Sequence, residues 1–276
     1  MKCLLVSDLH YALKQFDWVL DVAEEFDVVV IAGDHLDISS TVDARVQINV
    51  ILTYVRQLKA KTRVIVSSGN HDLDARDETG EKVARWMSKV RVLGAPTDGD
   101  GCRIDDTLFT ICPWWDGPQT RDRVAAQLEA DASLREGSRW IWVYHAPPDN
   151  SPTSWSGKKH FGDADLVRWI EHYSPDLVLT GHIHQSPFRS GGSWVDRIGS
   201  TWVFNSGRQI GPSPAYIAFD TRDSSAVWFS QAGAEVVRLD RPLTRPVDVL
   251  TELPEWLDQR VVFGSRSEPG EHSSSC

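Results

Sequence analysis

Residues 28–37 read VVVIAGDHLD. A run of Val and Ile meets Ala-Gly, and then Asp34, His35 and Asp37 follow. A β-branched apolar run bounded by glycine reads as a buried strand. Such a strand gains nothing by ending on carboxylates, which resist burial. Either it ends in an acidic turn, or it delivers Asp34 to positive charge. Taken alone, an Asp after a Gly is a turn residue. The rest of the chain decides.

The same form recurs. CLLV (3–6) is followed by Asp8 and His10, RVIVSSG (63–69) by Asn70, His71 and Asp72, and SRWIWVYH (138–145) ends on His145. DLVLTGH (176–182) delivers His182, with His184 two residues on. Helical spacing marks 12–25, where Phe16, Val19, Leu20 and Ala23 share a face, and marks 42–58, 78–89 and 120–136. Asp163 is placed to cap a helix that runs to Tyr173. Strands alternating with helices predict βαβ units and parallel pairing. CRIDDTLFTIC (102–112) predicts a hairpin turning at Asp105-Asp106. SWVDRI, TWVFN, AYIAFD and SAVWFS predict consecutive strands near the end of a catalytic domain spanning 1–232. Residues 233–263, without strong periodicity, are expected to pack on that core as a C-terminal extension. Residues 264–276 are polar and expected to be disordered.

In open α/β sheets, ligands bind outside the carboxyl ends of the strands. Here each of those ends offers a carboxylate, an amide or an imidazole. Asp8 and His10, like His182 and His184, stand two apart, so extended backbone aims both members of a pair the same way. The donor set lacks thiolate and suits Mn²⁺, Fe, Zn²⁺ or Ni²⁺ over a structural zinc site. The donors are too many for one ion. Two ions sharing a carboxylate fit them, and such ions sit roughly 3.5–4 Å apart.

The blocks D-x-H (Asp8 to His10), G-D-x-x-D (Gly33 to Asp37), G-N-H-D (Gly69 to Asp72), a lone His145 after a strand and G-H-x-H (Gly181 to His184) resemble the calcineurin-like metallophosphoesterase superfamily. The resemblance runs from residue 4 to about 207 and is carried by the order of the blocks. It implies an α/β fold, a β-sandwich of mixed, partly parallel sheets flanked by helices, with metals at the strand carboxyl ends. It implies that Asp8, His10 and His184 hold one divalent transition-metal ion, that Asn70, His145 and His182 hold a second, and that Asp34 bridges them. His71 matches the histidine that faces substrate, and Asp37 is expected to hydrogen-bond and orient it. Many members carry Asn-Pro-Gly after the last block, whereas this chain has Asn205-Ser206-Gly207. That departure is expected to leave the ligands unaffected.

The expected chemistry is hydrolysis of a phosphodiester or phosphomonoester by a metal-bridging hydroxide, with His71 aiding the leaving group. Mn²⁺ is the favoured metal and the diester the favoured substrate. A nuclease of the same superfamily and a non-catalytic metal-binding scaffold are the alternatives. The formal net charge of -10 disfavours a polyanionic partner, so a small phosphoester is the expected substrate. Cys3, Cys102, Cys112 and Cys276 show no metal or redox spacing, and no apolar stretch is long enough to span a bilayer. A cytoplasmic protein is expected. Asp72 and His35 read as supporting the ligands or as ordinary loop residues. His160, beside Lys158 and Lys159, reads as substrate-facing or as part of a solvated loop. Trp114, Trp115 and Trp155 flank the loops near the site and either stack on substrate or pack.

Overall fold

The first strand of the chain lies near the middle of its sheet, with four strands on one side of it and two on the other. The structure, a computed structural model, describes residues 1–263. β1 (Lys2–Val6) leads through α1 (Leu13–Val22) to β2 (Val28–Ala32), and α2 (Ala44–Lys61) returns the chain to β3 (Arg63–Ser67). A small hairpin of β4 (Ala75–Arg76) and β5 (Lys82–Val83) precedes α3 (Met87–Val92). The hairpin of β6 (Gly101–Ile104) and β7 (Thr107–Ile111) opens the second half, followed by α4 (Pro118–Leu134), β8 (Arg139–Val143), α5 (Ala164–Tyr173) and β9 (Leu177–Thr180). Six strands come next: β10 (Val195–Ile198), β11 (Thr201–Asn205), β12 (Tyr216–Asp220), β13 (Ser225–Ser230), β14 (Gly233–Arg238) and β15 (Asp248–Val249). A short α6 (Gln259–Phe263) follows them.

One sheet has seven strands in the order β15-β14-β13-β12-β1-β2-β3, and the other has six in the order β10-β11-β9-β8-β7-β6. β1, β2 and β3 pair in parallel, as do β7, β8, β9 and β11, whereas β6, β10 and β12 attach antiparallel. The fold is therefore the mixed α/β sandwich expected from the sequence. Alternation along the strands assigns the layers. Cys3, Leu5, Val28 and Val30 meet Ile141, Val143 and Leu179 between the sheets. Leu4, Val6, Val29 and Ile31 face outward under Phe16 and Val19 of α1 and Ile51 and Val55 of α2. On the opposite surface Trp140 and Trp142 pack beneath Val124 and Leu128 of α4 and Leu166 and Ile170 of α5. Each such fully buried side chain contributes about 1.5–3 kcal/mol of apolar transfer. Those three cores hold the strand ends rigidly in register.

Two readings are corrected. Residues 78–89 are not one helix. Asp77 Oδ1 accepts hydrogen bonds from the backbone and hydroxyl of Thr79 at 2.9 and 2.6 Å, which closes a turn. Glu81 is drawn to α4, where its carboxylate accepts from Gln119 N (2.9 Å) and Thr120 N (2.7 Å). A helix through Glu81 would forfeit that capping. After residue 232 the chain does not lose regular structure, because β14 pairs with β13 from Ser230↔Gly233 to Ser225↔Arg238. The domain boundary read at 232 falls within that hairpin. Further on, Leu257 and Val261 are buried against the helix-side core. The tail read as disordered, 264–276, lies outside the described residues. Among the described residues no helix is long and apolar enough to cross a membrane, and Cys3, Cys102 and Cys112 are free thiols.

Candidate metal centre

The parallel strands of both sheets finish on one rim, and the backbone there is unusual. Asp8, His10, Asp34 and His182 all have left-handed φ, at 56°, 41°, 54° and 66°. Asp tolerates that region better than most residues, yet each instance costs about 1–3 kcal/mol. The cost is sustained by hydrogen bonds that lace the loops together. Asp8 N donates to Gly33 O (3.1 Å) and His10 N to Asp34 O (2.9 Å), joining the ends of β1 and β2. His182 N donates to Asp8 Oδ2 at 3.0 Å, joining β9 to β1.

The result is a cluster around Asp34. His10 Nε2 lies 3.7 Å and His145 Nε2 3.3 Å from Asp34 Oδ2. On one side His10 Nε2 and His184 Nε2 approach to 3.0 Å, and His184 Nε2 is 3.2 Å from Asp8 Oδ1. On the other side His182 Nδ1 is 2.8 Å from Asn70 Oδ1. Two sets of donors, Asp8-His10-Asp34-His184 and Asp34-His145-His182, each have their ligand atoms within 4.8 Å of one another, and Asp34 belongs to both. The seven residues read as ligands from the sequence are brought together. Glycines make the closeness possible. A Cβ on Gly33 would collide with the His145 ring, one on Gly69 with the Asp34 carboxylate, and one on Gly181 would meet Asp8 Oδ2 at 2.5 Å.

Electrostatics suit a cation. Burial alone would raise the Asp8 and Asp34 carboxyls, but the His184 and His145 imidazoles outweigh it and hold both below the usual carboxylate range. Burial pushes His10 and His182 down to about 4, so near neutrality their lone pairs are free. His145 is the opposite case: burial disfavours its charge, but Asp34 and Asp8 overcome that and raise it to about 9. Its Nδ1 lies 2.7 Å from Ala32 O, which fixes the N–H on that side and turns Nε2 toward the carboxylates. Nε2 is sealed from solvent and has no hydrogen-bond partner. A buried, unpartnered ring nitrogen facing two carboxylates fits a cation-binding position. The oxygen and imidazole donors fit divalent transition metals without selecting among them.

His71 lies beside the cluster rather than in it. Its backbone N–H donates to Asp34 Oδ1 at 2.8 Å, its ring meets His10 edge-on at 4.5 Å between centroids, and its Nε2 is 4.0 Å from Asp34 Oδ2. Asp37 does not orient it. The Asp37 carboxylate accepts from Ser39 N (2.8 Å) in a local turn, an interaction available without crossing the loop. The buried carboxylate that holds this region is Asp72, which accepts from the backbone N–H of His35, Leu36 and Gly69 at 3.0, 3.1 and 2.8 Å and lies 3.0 Å from His35 Nδ1. It ties the end of β2 to the end of β3. The departure at Ser206 also reaches a ligand. Ser206 Oγ is 2.8 Å from Ser7 Oγ, which donates to Asp8 Oδ2 at 2.6 Å.

Of the other residues singled out, His160 is held between Ser154 Oγ and Ser151 O, each at 3.0 Å, and packs on Trp155, whose indole N–H donates to Ser190 O. These are loop-fastening contacts. Trp114 packs on the His182 and His145 rings, with centroids at 5.2 and 5.6 Å. Trp115 Nε1 donates to Tyr144 Oη (2.7 Å) and Asp163 Oδ2 (3.0 Å), and Tyr144 Oη also bonds Asp163. Tyr144 and Asp163 were not legible as site residues, because nothing in the chain marks β8, α5 and the 113–118 loop as neighbours.

Comparisons with known proteins bear on the family and the fold. Residues 1–186 match the family model described as calcineurin-like phosphoesterase. Among solved structures, the protein TT1561 of Thermus thermophilus superposes with a TM-score of 0.55 at 14% identity, covering 86% of this chain and 98% of that one. A dimetal phosphatase from Danio rerio superposes with a TM-score of 0.50 at 11% identity, covering 83% and 95%. At those identities the likeness is one of fold. No curated protein matches the chain in sequence. The family match covers well over half of the chain, and the chain belongs to the calcineurin-like phosphoesterase family.

Proposed function

We propose that this chain hydrolyses a phosphodiester with two divalent transition-metal ions, Mn²⁺ foremost. Asp8, His10 and His184 would hold one ion, Asn70, His145 and His182 the other, and Asp34 both. The observation that carries the reading is the sharing of Asp34 between two sets of donors. Metal ions held by these residues would supply charge to neutralise phosphoryl oxygens and would activate water near neutral pH.

The protein's own groups do the rest. Asp72, through three backbone N–H groups and His35, fixes the two loops that carry Asp34 and Asn70. Trp114 packs against the His145 and His182 rings, and His145 is itself sealed from solvent. His71, part-exposed beside Asp34, is placed to give a proton to the departing alkoxide as the phosphorus–oxygen bond breaks. No side-chain nucleophile is used, so no covalent enzyme intermediate forms.

The test is a paired assay with Mn²⁺-loaded protein, bis-p-nitrophenyl phosphate and p-nitrophenyl phosphate, with and without chelator. Chelator-sensitive cleavage, faster for the diester, is expected. Two bound ions with neither ester cleaved would defeat the reading and favour a scaffold.

A further inference from the structure

Beside the centre lies a cavity of about 480 Å³ whose inner wall includes His145 and His182. That size suits a small-molecule group. The loop at 113–118 supplies Trp114 and Trp115, the end of β8 supplies Tyr144, and the loop after it supplies Phe161. The polar side-chain atoms of Trp115 and Tyr144 are already engaged. Trp115 Nε1 and Tyr144 Oη are both fixed on Asp163. The other Asp163 oxygen accepts from Asp165 N and Leu166 N at the start of α5. Asp165 is paired with Arg168 and, at 3.8 Å, with Arg121. What Trp115, Tyr144 and Phe161 still offer to an occupant is ring surface, to which Trp114 adds its ring.

The charge of the walls narrows the occupant. Among the described residues, Asp116, Asp163 and Asp165 line the cavity and no Lys or Arg does. The nearby Lys159 Nζ sits over the Phe161 ring at 4.3 Å. A second phosphate or a carboxylate is unwelcome there, whereas a flat, uncharged ring fits. Position narrows it further. Among the lining residues are neither His71 nor His10, on which His71 packs. The departing oxygen belongs beside His71, so the cavity lies on the side of the ester group that stays on phosphorus.

We infer that this cavity is a subsite for the retained ester group of a phosphodiester, and that the group it takes is a flat, uncharged aromatic ring. The inference rests on the phosphodiesterase reading above and sharpens it: a monoester has no second ester group to place there.

The test holds the leaving group constant. Metal-loaded protein is given phenyl p-nitrophenyl phosphate and methyl p-nitrophenyl phosphate, and kcat/KM is compared. In parallel, phenylphosphonate and methylphosphonate are titrated calorimetrically, which reads the pocket without turnover. The phenyl compounds are expected to be preferred by roughly tenfold or more in both arms. Phe161→Ala, which removes a half-exposed wall, and Ala164→Phe, which projects into the cavity from the exposed start of α5, are each expected to shrink that ratio toward one. Equal treatment of phenyl and methyl compounds by wild-type protein, with turnover present, would overturn the subsite and leave the phosphoesterase reading standing. Selective phenylphosphonate binding with no turnover of any ester would support the pocket and defeat the catalytic reading instead. A phenyl preference that survives both substitutions would place the ring elsewhere and overturn the assignment.

Discussion

The two flanks of Asp34 hold similar donors in dissimilar surroundings. On one flank the buried His10 meets His184, whose side chain is 28% exposed. His145 is wholly enclosed, fastened by one nitrogen to Ala32 O and covered by Trp114. An imidazole held by a backbone carbonyl cannot swing away from its ion, whereas a part-exposed one can. In the proposed centre the enclosed His145 would hold its ion more firmly than the part-exposed His184, although each flank mixes the two kinds, His10 being buried and His182 half-buried. Similar ligand letters in a sequence do not imply equal sites.

Asp34→Asn is the most severe way to break that comparison. Because both flanks use this carboxylate, we predict loss of both ions and a fall in turnover of roughly a thousandfold or more. Metal analysis that still finds two ions would show the flanks to be independent. His71→Ala is predicted to retain both ions while slowing an ester with a poor leaving group by roughly a hundredfold. If an ion were lost, His71 would have to be counted among the ligands. Removing one imidazole at a time then ranks the flanks. His145→Ala should weaken its ion by roughly a hundredfold and lower the melting temperature, and His184→Ala by nearer tenfold with little change in melting. Equal losses on calorimetric titration would erase the distinction.

The smallest effect is in pH. His10 and His182 are held near about 4 in the folded metal-free protein, against an ordinary 6.5. Their contribution to stability is complete above 6.5 and is lost as pH falls toward 4. His145, raised to about 9, has the opposite sign: its contribution is complete below 6.5 and is lost as pH rises through 9. The metal-free protein should therefore melt highest near neutrality. A melting temperature that climbs steadily from pH 4 to 10 would contradict this.

The ligands were legible because each follows an apolar strand, and strand ends in parallel sheets converge whatever lies between them. That rule gathered Asp8, His10, Asp34, Asn70, His145, His182 and His184, and the family resemblance separated them from His71 and Asp72, which follow the same strand as Asn70. Asp37 was misplaced because the G-D-x-x-D motif alone assigned it to His71, across a loop whose path the sequence does not reveal. Backbone donors at His35, Leu36 and Gly69 instead gather around Asp72, and only coordinates show which carboxylate they surround. Ser206 carries its hydroxyl to Asp8 through Ser7, a link across the whole chain that has no local signature. The hairpin at β4 and β5 was hidden for a similar reason: Glu81 has a helix former's side chain, but α4 claims it. The aromatic pocket is the extreme case, since Trp115, Tyr144 and Asp163 become neighbours only through sheet order and the placement of α5.

The left-handed backbone at Asp8, His10, Asp34 and His182 constrains how this chain can change. Such positions admit few residues without distortion, chiefly Gly and Asn besides Asp. In the genetic code Asp is one base from both Asn and Gly, and His is one base from Asn. Some single-base steps away from these residues are therefore steps the backbone accepts. A library randomised at these four positions should return mostly Asn and Gly among its folded clones. Drift along those particular steps would lead to an inert but well-folded scaffold.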